Sequence, residues 1–303
     1  MQLDLFSDNR RTIRLNDAGD MLRALDLERA LAVYADLLND APGDMPILQL
    51  QSTVGQWRDT LTRFHACPVG SGRLHELWLN LKDDTPPPLA VGVLELLTSG
   101  LKGLPSPELI YIPPRFHIGT ILLAKKNFAE AEFWFSSALN SGIGERARFL
   151  GWRGDALMSL GDAGGMRESC LAAFLEEPHS VDLTSQKNRM LHNLLLSLEI
   201  EGGDEIADDE MVCWLPVWGW LHGEFVLGMN EVAADHDAFA ASLEKTECLR
   251  SMTLPRLWFD YLRYAEYLRT MFRNDREMVR VRRRMREMSG FMFDRYLEKI
   301  SGR

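Results

Sequence analysis

Long apolar runs are missing from this chain. The most apolar stretch, residues 213 to 221, is about half the length that a bilayer-spanning helix requires and contains Pro216. The first residues show no cationic segment leading into an apolar run and a small-residue cleavage site, so neither a membrane span nor a secretory leader is expected, and a cytoplasmic location follows. Cysteine is scarce as well: Cys67, Cys170, Cys213 and Cys248 lie far apart with no CxxC spacing, which fits buried thiols in a reducing compartment rather than a disulfide framework. Basic charge is in deficit, with 34 Lys and Arg against 44 Asp and Glu and a net charge of -10. This argues against a surface given over to nucleic acid or anionic lipid, so any phosphate-binding function must be local.

Catalytic signatures are equally sparse. There is no GxSxG, no phosphate-cradling GxxxxGK, and no GxGxxG opening a helix after a strand. His65 and Cys67 sit together in FHACP without a third ligand nearby, and His75-Glu76 lacks the second His of an HExxH site. The acidic run GGDEIADDE, residues 202 to 210, does not follow an EF-hand loop and reads as a solvated loop. The expectation is a chain with no metal and no cofactor, and no enzyme. The alternative is an enzyme or metal-dependent regulator with a Cys/His site that the fold assembles from distant residues, Cys67 and His65 among them.

What is abundant is helical periodicity, from about residue 17 onward, broken by Pro and Gly clusters such as ALNSGIG, LGDAGG, EEPHS and IEGGDE. Two neighbouring stretches repeat. In FHIGTILLAKKNFAEAEFWFSSALNSG, the positions Gly119, Leu122, Phe128, Ala131, Phe135 and Ala138 recur at helical spacing; in GWRGDALMSLGDAGGMRESCLAAFLEEP, Gly154, Leu157, Gly161, Met166, Cys170 and Ala173 take the same places, 35 residues on from glycine to glycine. Asn127 followed by Glu130 predicts a capping box, and Asp162 predicts an N-cap. Each stretch therefore predicts a helix, a tight turn and a helix.

These units resemble the tetratricopeptide repeat, with Gly119 and Gly154 as the small residue of the first helix, Ala131 and Ala138 as those of the second, and Pro178 as the terminal proline. Ala30, Tyr34 and Pro42 make a half-match further upstream. The resemblance implies an all-α, tetratricopeptide-like α-solenoid of antiparallel helix pairs, irregular at both ends, presenting a concave face to a protein partner. It divides the chain into an N-terminal arm (1-16), a divergent helical region (17-105), two repeat-like units (106-180), and a C-terminal helical region (181-303). Phe116, Thr120, Trp152 and Asp155 would line the groove on the first helices, joined by Trp214 and Trp218 from CWLPVWGWLHGEF, whose alternative role is core packing.

The opening QLDLF is similar to the pentapeptide with which bacterial polymerases and repair factors bind the sliding clamp. That resemblance implies that Leu5 and Phe6 enter a hydrophobic cleft, with Leu3 beside them, Asp4 between, and Gln2 hydrogen-bonding at the edge. The competing reading is an edge strand or an arm folded onto the first helices, since Leu3 and Leu5 alternate with Gln2 and Asp4.

From Arg269 to Arg303 there are 11 basic and 5 acidic residues, net +6. Met271, Met278, Val281, Met285, Met288 and Met292 follow helical spacing, which predicts a terminal capping helix with a buried stripe. Arg276, Arg280, Arg283 and Arg284 lie off that stripe, either as a solvated face that neutralises acidic neighbours or as a local phosphate contact. Direct nucleic-acid binding is not the expected role.

Overall fold

Short polar side chains start several of the helices. Asp26 accepts from Arg29 N, Asp44 from Ile47 N, and Asp162 from Gly165 N, each satisfying a backbone donor that the first helical turn leaves without a partner. The computed structural model describes residues 2–184, 188–249 and 253–302, with side chains over the same ranges apart from 2–8 and 247–249. Among the described residues the chain is all-helical, and its one β-like feature is an isolated antiparallel bridge between Ile112 and Phe116. Helix contacts divide it into two compact units, Met1–Ser141 and Gly142–Arg303. The division falls between the two repeat-like stretches, which the sequence reading placed together in 106-180.

The first unit holds α1 (Gln2–Arg23), α2 (Leu27–Asp40), α3 (Met45–His65), α4 (Ser71–Leu79), α5 (Pro87–Lys102), α6 (Ile118–Ala124) and α7 (Phe128–Asn140). Helix formation begins at Gln2, well before residue 17. Neighbours in sequence pack on one another, and α5 also packs on α1. Leu89, Val93, Leu97 and Leu101 recur every four residues on α5 and are fully buried, as an amphipathic helix requires.

The second unit holds α8 (Arg146–Ser159), α9 (Ala163–Glu176), α10 (Arg189–Gly202), α11 (Met211–Leu221), α12 (Asn230–Ala234), α13 (His236–Leu249), α14 (Leu254–Tyr267), α15 (Asp275–Met288) and α16 (Gly290–Ile300). The predicted C-terminal capping helix is thus two helices. Ser289 is extended and its hydroxyl accepts from Met292 N, which ends α15 and starts α16. Met278, Val281, Met285 and Met292 are buried as the stripe predicted; Met271 is 63% exposed because it lies in a π-helical turn, Leu268–Phe272.

At the centre of the second unit, every residue of α14 from 257 to 267 is buried, charged ones included. Asp260 pairs with Arg263 at 3.2 Å and with Arg256 at 3.3 Å, and Arg263 reaches Glu231 and the Gly228 carbonyl, both at 2.9 Å. Glu266 takes Arg269 at 2.6 Å and the Tyr296 hydroxyl at 3.1 Å. Each buried charge has partners, the condition under which ionic groups are tolerated in a core.

The two repeat-like hairpins share one packing device. A Cβ on Gly119 of α6 would sit 2.4 Å from the Phe135 ring of α7, and a Cβ on Gly154 of α8 would sit 2.7 Å from Cys170 Sγ of α9. Phe135 and Cys170 are the positions that sequence comparison equates. The Asn127 capping box does not form: its side-chain amide donates to the Glu130 carboxylate at 2.7 Å instead of capping α7. Glu130 is also engaged by Lys102, which, as a hydrogen-bond donor, lowers its pKa.

His117 fixes the entry to α6. It is fully buried, its Nδ1 accepts from Gly119 N at 3.0 Å, and its Nε2 donates to the Glu108 carbonyl at 3.0 Å. Burial lowers its pKa to about 4, partly offset by the Glu108 hydrogen bond.

Two predictions follow from this packing. Gly119→Ala should destabilise the protein by about 1–3 kcal/mol through overpacking against Phe135; Gly55→Ala, in the α3 interior with no neighbour within 4 Å, should be neutral or stabilising by up to about 1 kcal/mol in urea unfolding. For His117, the unfolded side chain takes up its proton near pH 6.5 while the folded one resists until about 4, so stability falls as pH drops through that window. The loss should approach about 3 kcal/mol, and a His117→Gln variant should show a correspondingly flatter pH dependence of its urea midpoint.

Candidate functional site

A polar stripe runs beside the buried face of α3. Ile47, Val54, Trp57, Leu61 and Phe64 point into the core, and Thr53, Gln56, Thr60 and Arg63 recur at three- and four-residue steps alongside them. Helix α4 offers Arg73, Glu76, Leu77 and Asn80 at the same kind of spacing. The two stripes line a cleft of about 210 Å³, floored by Phe64 and Leu77. A second hollow of about 130 Å³ shares Thr60 and Asn80 and continues to Lys82, Asp84 and Thr85 in the loop before α5. That loop is fixed by a 3.2 Å bond from Lys82 N to the buried Thr85 hydroxyl.

Arg73 lies in the first turn of α4, after an N-cap glycine, Gly70, that supplies no side-chain cap. This is the positive end of the helix, where a carboxylate is favoured and a cation is not. Its Nη2 donates to the Arg63 carbonyl at 2.6 Å, satisfying a carbonyl in the last turn of α3, and its guanidinium stands 5.9 Å from the Phe64 ring centre. Its Nε is buried without a hydrogen-bond partner. Arg63 donates to the Asp59 carbonyl at 3.3 Å and, at a long 3.4 Å, to the Thr60 hydroxyl. Among the described residues neither guanidinium pairs with a carboxylate, whereas Arg11, Arg14, Arg23, Arg29 and Arg58 of the same unit all do. The cleft is a recess whose accessible lining is largely apolar, with two arginines at it held by neutral oxygens.

The sequence-predicted groove residues lie elsewhere. Phe116, Trp152, Trp214 and Trp218 are all 2% exposed or less, and Thr120 is buried. Phe116 packs against His75 and Trp78, Trp152 against Phe149, and Trp214 against Trp258. Trp218 stacks on Phe291 and donates Nε1 to the Ser197 hydroxyl at 2.8 Å. The Thr120 hydroxyl bonds the Arg115 and His117 carbonyls. Asp155 is half-buried. The expected aromatic groove is therefore core: the small residues that let paired helices close also carry their aromatic neighbours inward.

Residues 2–6 form the first turns of α1, so the backbone there is helical rather than an edge strand. The side chains of Gln2, Leu3, Asp4, Leu5 and Phe6 lie outside the described residues. Residues 9–13 are exposed, and Ala18 is the first buried residue among the described side chains of α1.

On α15 the basic face is partly neutralised. Arg280 pairs with Glu244 and, at 3.8 Å, with Glu277; Arg283 and Arg284 both hold Glu287, at 3.0 and 2.5 Å. Arg284 first, then Arg283, lowers the Glu287 pKa by hydrogen bonding. Arg276 is exposed.

His65 and Cys67 are both exposed, and no group of three His, Cys, Asp or Glu among the described residues is arranged to hold a metal. The fold does build one thiol–imidazole contact that local sequence gave no sign of, because its members are 34 residues apart: Cys213 Sγ lies 3.4 Å from His179 Nε2. Burial, then Glu210 and Asp209, raises the Cys213 pKa, so the sulfur keeps its proton and makes a poor nucleophile. Cys170 is pushed up to about 12 by burial and is inert for the same reason. Nor is any helix among the described residues long and apolar enough to cross a membrane. No protein-family model matches this chain, and the comparisons with curated proteins and with solved structures give no match either.

Proposed function

We propose that this chain is a non-catalytic protein-binding scaffold of the cytoplasm, a tetratricopeptide-like helical protein that residues 2–6 recruit to the bacterial sliding clamp. The helical-repeat reading is supported by the shared glycine contacts, Gly119 on Phe135 and Gly154 on Cys170, at equivalent places in two hairpins. The surface offered to a protein partner is the α3–α4 cleft, since the aromatic residues first considered for that role are buried.

The observation that carries the recruitment reading is the pentapeptide itself, QLDLF at residues 2–6, placed on the first turns of α1. Residues 9–13, which follow it, are exposed, and the Arg11–Asp44 and Arg14–Asp40 ion pairs tie this part of α1 to the rest of its unit. Binding in extended form requires the first turns of α1 to unwind and present QLDLF to the clamp. Burying Leu5 and Phe6 on the clamp would contribute roughly 1.5 to 3 kcal/mol each, against an association cost of several kcal/mol. A single motif of this kind binds at about micromolar Kd.

Surface plasmon resonance with a purified bacterial sliding clamp tests this directly. The full chain should bind saturably with about micromolar Kd, and the Leu5→Ala, Phe6→Ala double variant should lose binding while melting at the same temperature. Absent binding, or equal binding by the variant, would sink the recruitment reading.

A further inference from the structure

We propose that the cleft between α3 and α4 is a binding site for a phosphomonoester, held by the guanidinium groups of Arg63 and Arg73. Charge is the first argument. In a chain where acidic residues outnumber basic ones 44 to 34, two arginines line one recess and neither has a carboxylate partner among the described residues. Each guanidinium has five N–H donors. Arg73 spends one on the Arg63 carbonyl, and Arg63 reaches only the Asp59 carbonyl and, weakly, Thr60. Most of their donor capacity is uncommitted.

The second argument is placement. Arg73 occupies the first turn of α4, where the helix dipole disfavours a cation, and no acidic residue in that turn offsets it. Its bond to the end of α3 positions the side chain but needs only one donor. An oxyanion in the cleft would supply the countercharge that the Arg73 guanidinium lacks.

Size and donor arrangement select the class of anion. The recess of about 210 Å³ has the volume of about seven liquid waters, ample for a phosphoryl group with the start of its carrier, and the second hollow beyond Thr60 and Asn80 continues the path. A carboxylate has two oxygens in one plane and is filled by a single arginine fork; a phosphomonoester has three terminal oxygens and can engage donors from both helices. Glu76 also lines the recess. Its carboxylate suits a hydroxyl or amine on the carrier and works against a bare phosphate ion. The carrier is either a phosphorylated side chain of a peptide or a small organic phosphate, and the shared phosphoryl chemistry is what the cleft recognises.

Isothermal titration calorimetry of the full chain tests this with five probes: a phosphoserine peptide, its unphosphorylated counterpart, adenosine 5′-monophosphate, inorganic phosphate, and acetate. The expected result is saturable binding of the phosphoserine peptide or the monophosphate, with no binding of the unphosphorylated peptide or acetate; whichever phosphorylated probe binds more tightly identifies the carrier. Arg63→Gln and Arg73→Gln should each weaken it about ten- to hundredfold, and Glu76→Gln should tighten inorganic phosphate severalfold. Arg63 is exposed and contacts only its own helix through its side chain, so Arg63→Gln keeps the fold intact even if Arg73→Gln loosens the end of α3. No saturable heat with either phosphorylated probe, acetate binding as tightly as they do, or affinity unchanged in Arg63→Gln would each overturn the proposal. The sliding clamp takes no part in these titrations, so their outcome is independent of the recruitment reading.

Discussion

Helices in this protein approach one another through the space that a missing side chain leaves. Gly119 against Phe135 and Gly154 against Cys170 set the closeness of two hairpins; Gly92 lets α5 cross the end of α1, where a Cβ would meet the Arg23 carbonyl at 2.6 Å; Gly219 admits the Phe225 ring. At such contacts the partner is an aromatic ring, a buried thiol or backbone, none of which can yield cheaply. The α4 wall of the α3–α4 cleft depends on this constraint, while α3 is placed by its packing on α2. With α5 seated on α1, α4 packs on α5, and Gly100 of α5 receives the Leu74 side chain of α4.

Much of the fold was legible in the sequence, and the reasons are local. A helical repeat of small and large residues, Asp162 at an N-cap, and the methionine stripe of α15 are encoded by spacing alone. The equation of Phe135 with Cys170, made by counting residues, reappears as equivalent contacts in three dimensions. Other features depended on competition that spacing does not encode. Asn127 had a capping role open to it, but its side chain is oriented with the amide N–H on the Glu130 carboxylate, a charge-assisted bond, and its oxygen makes no cap. The break at Ser289 was hidden because the buried stripe continues on both sides of it, through Met285 and Met292.

The candidate site was less legible. Large aromatic residues in a helical repeat read equally well as groove or core, and only contacts decide; here they are core. Arg63 and Arg73 lie on different helices, and neither stands out in composition. The signal that could have drawn attention to Arg73 is its place after SG at a helix start, where Asp or Glu would be expected. The arginines that did stand out, on α15, are the ones most engaged with acids: Glu244, Glu277 and Glu287 hold three of them. Density of charge along a sequence and availability of charge on a surface are different quantities.

The buried charges of α14 bear on how the second unit holds together. Asp260, Arg263 and Glu266 find their partners on α12, on the loop before it, within α14, just past its end, and on α16. A half-formed version of this unit would leave these buried groups with fewer hydrogen-bond partners in an apolar setting, and such a state is penalised. The enclosure of α14 is thereby coupled to α12 and α16, which supply Glu231 to Arg263 and the Tyr296 hydroxyl to Glu266.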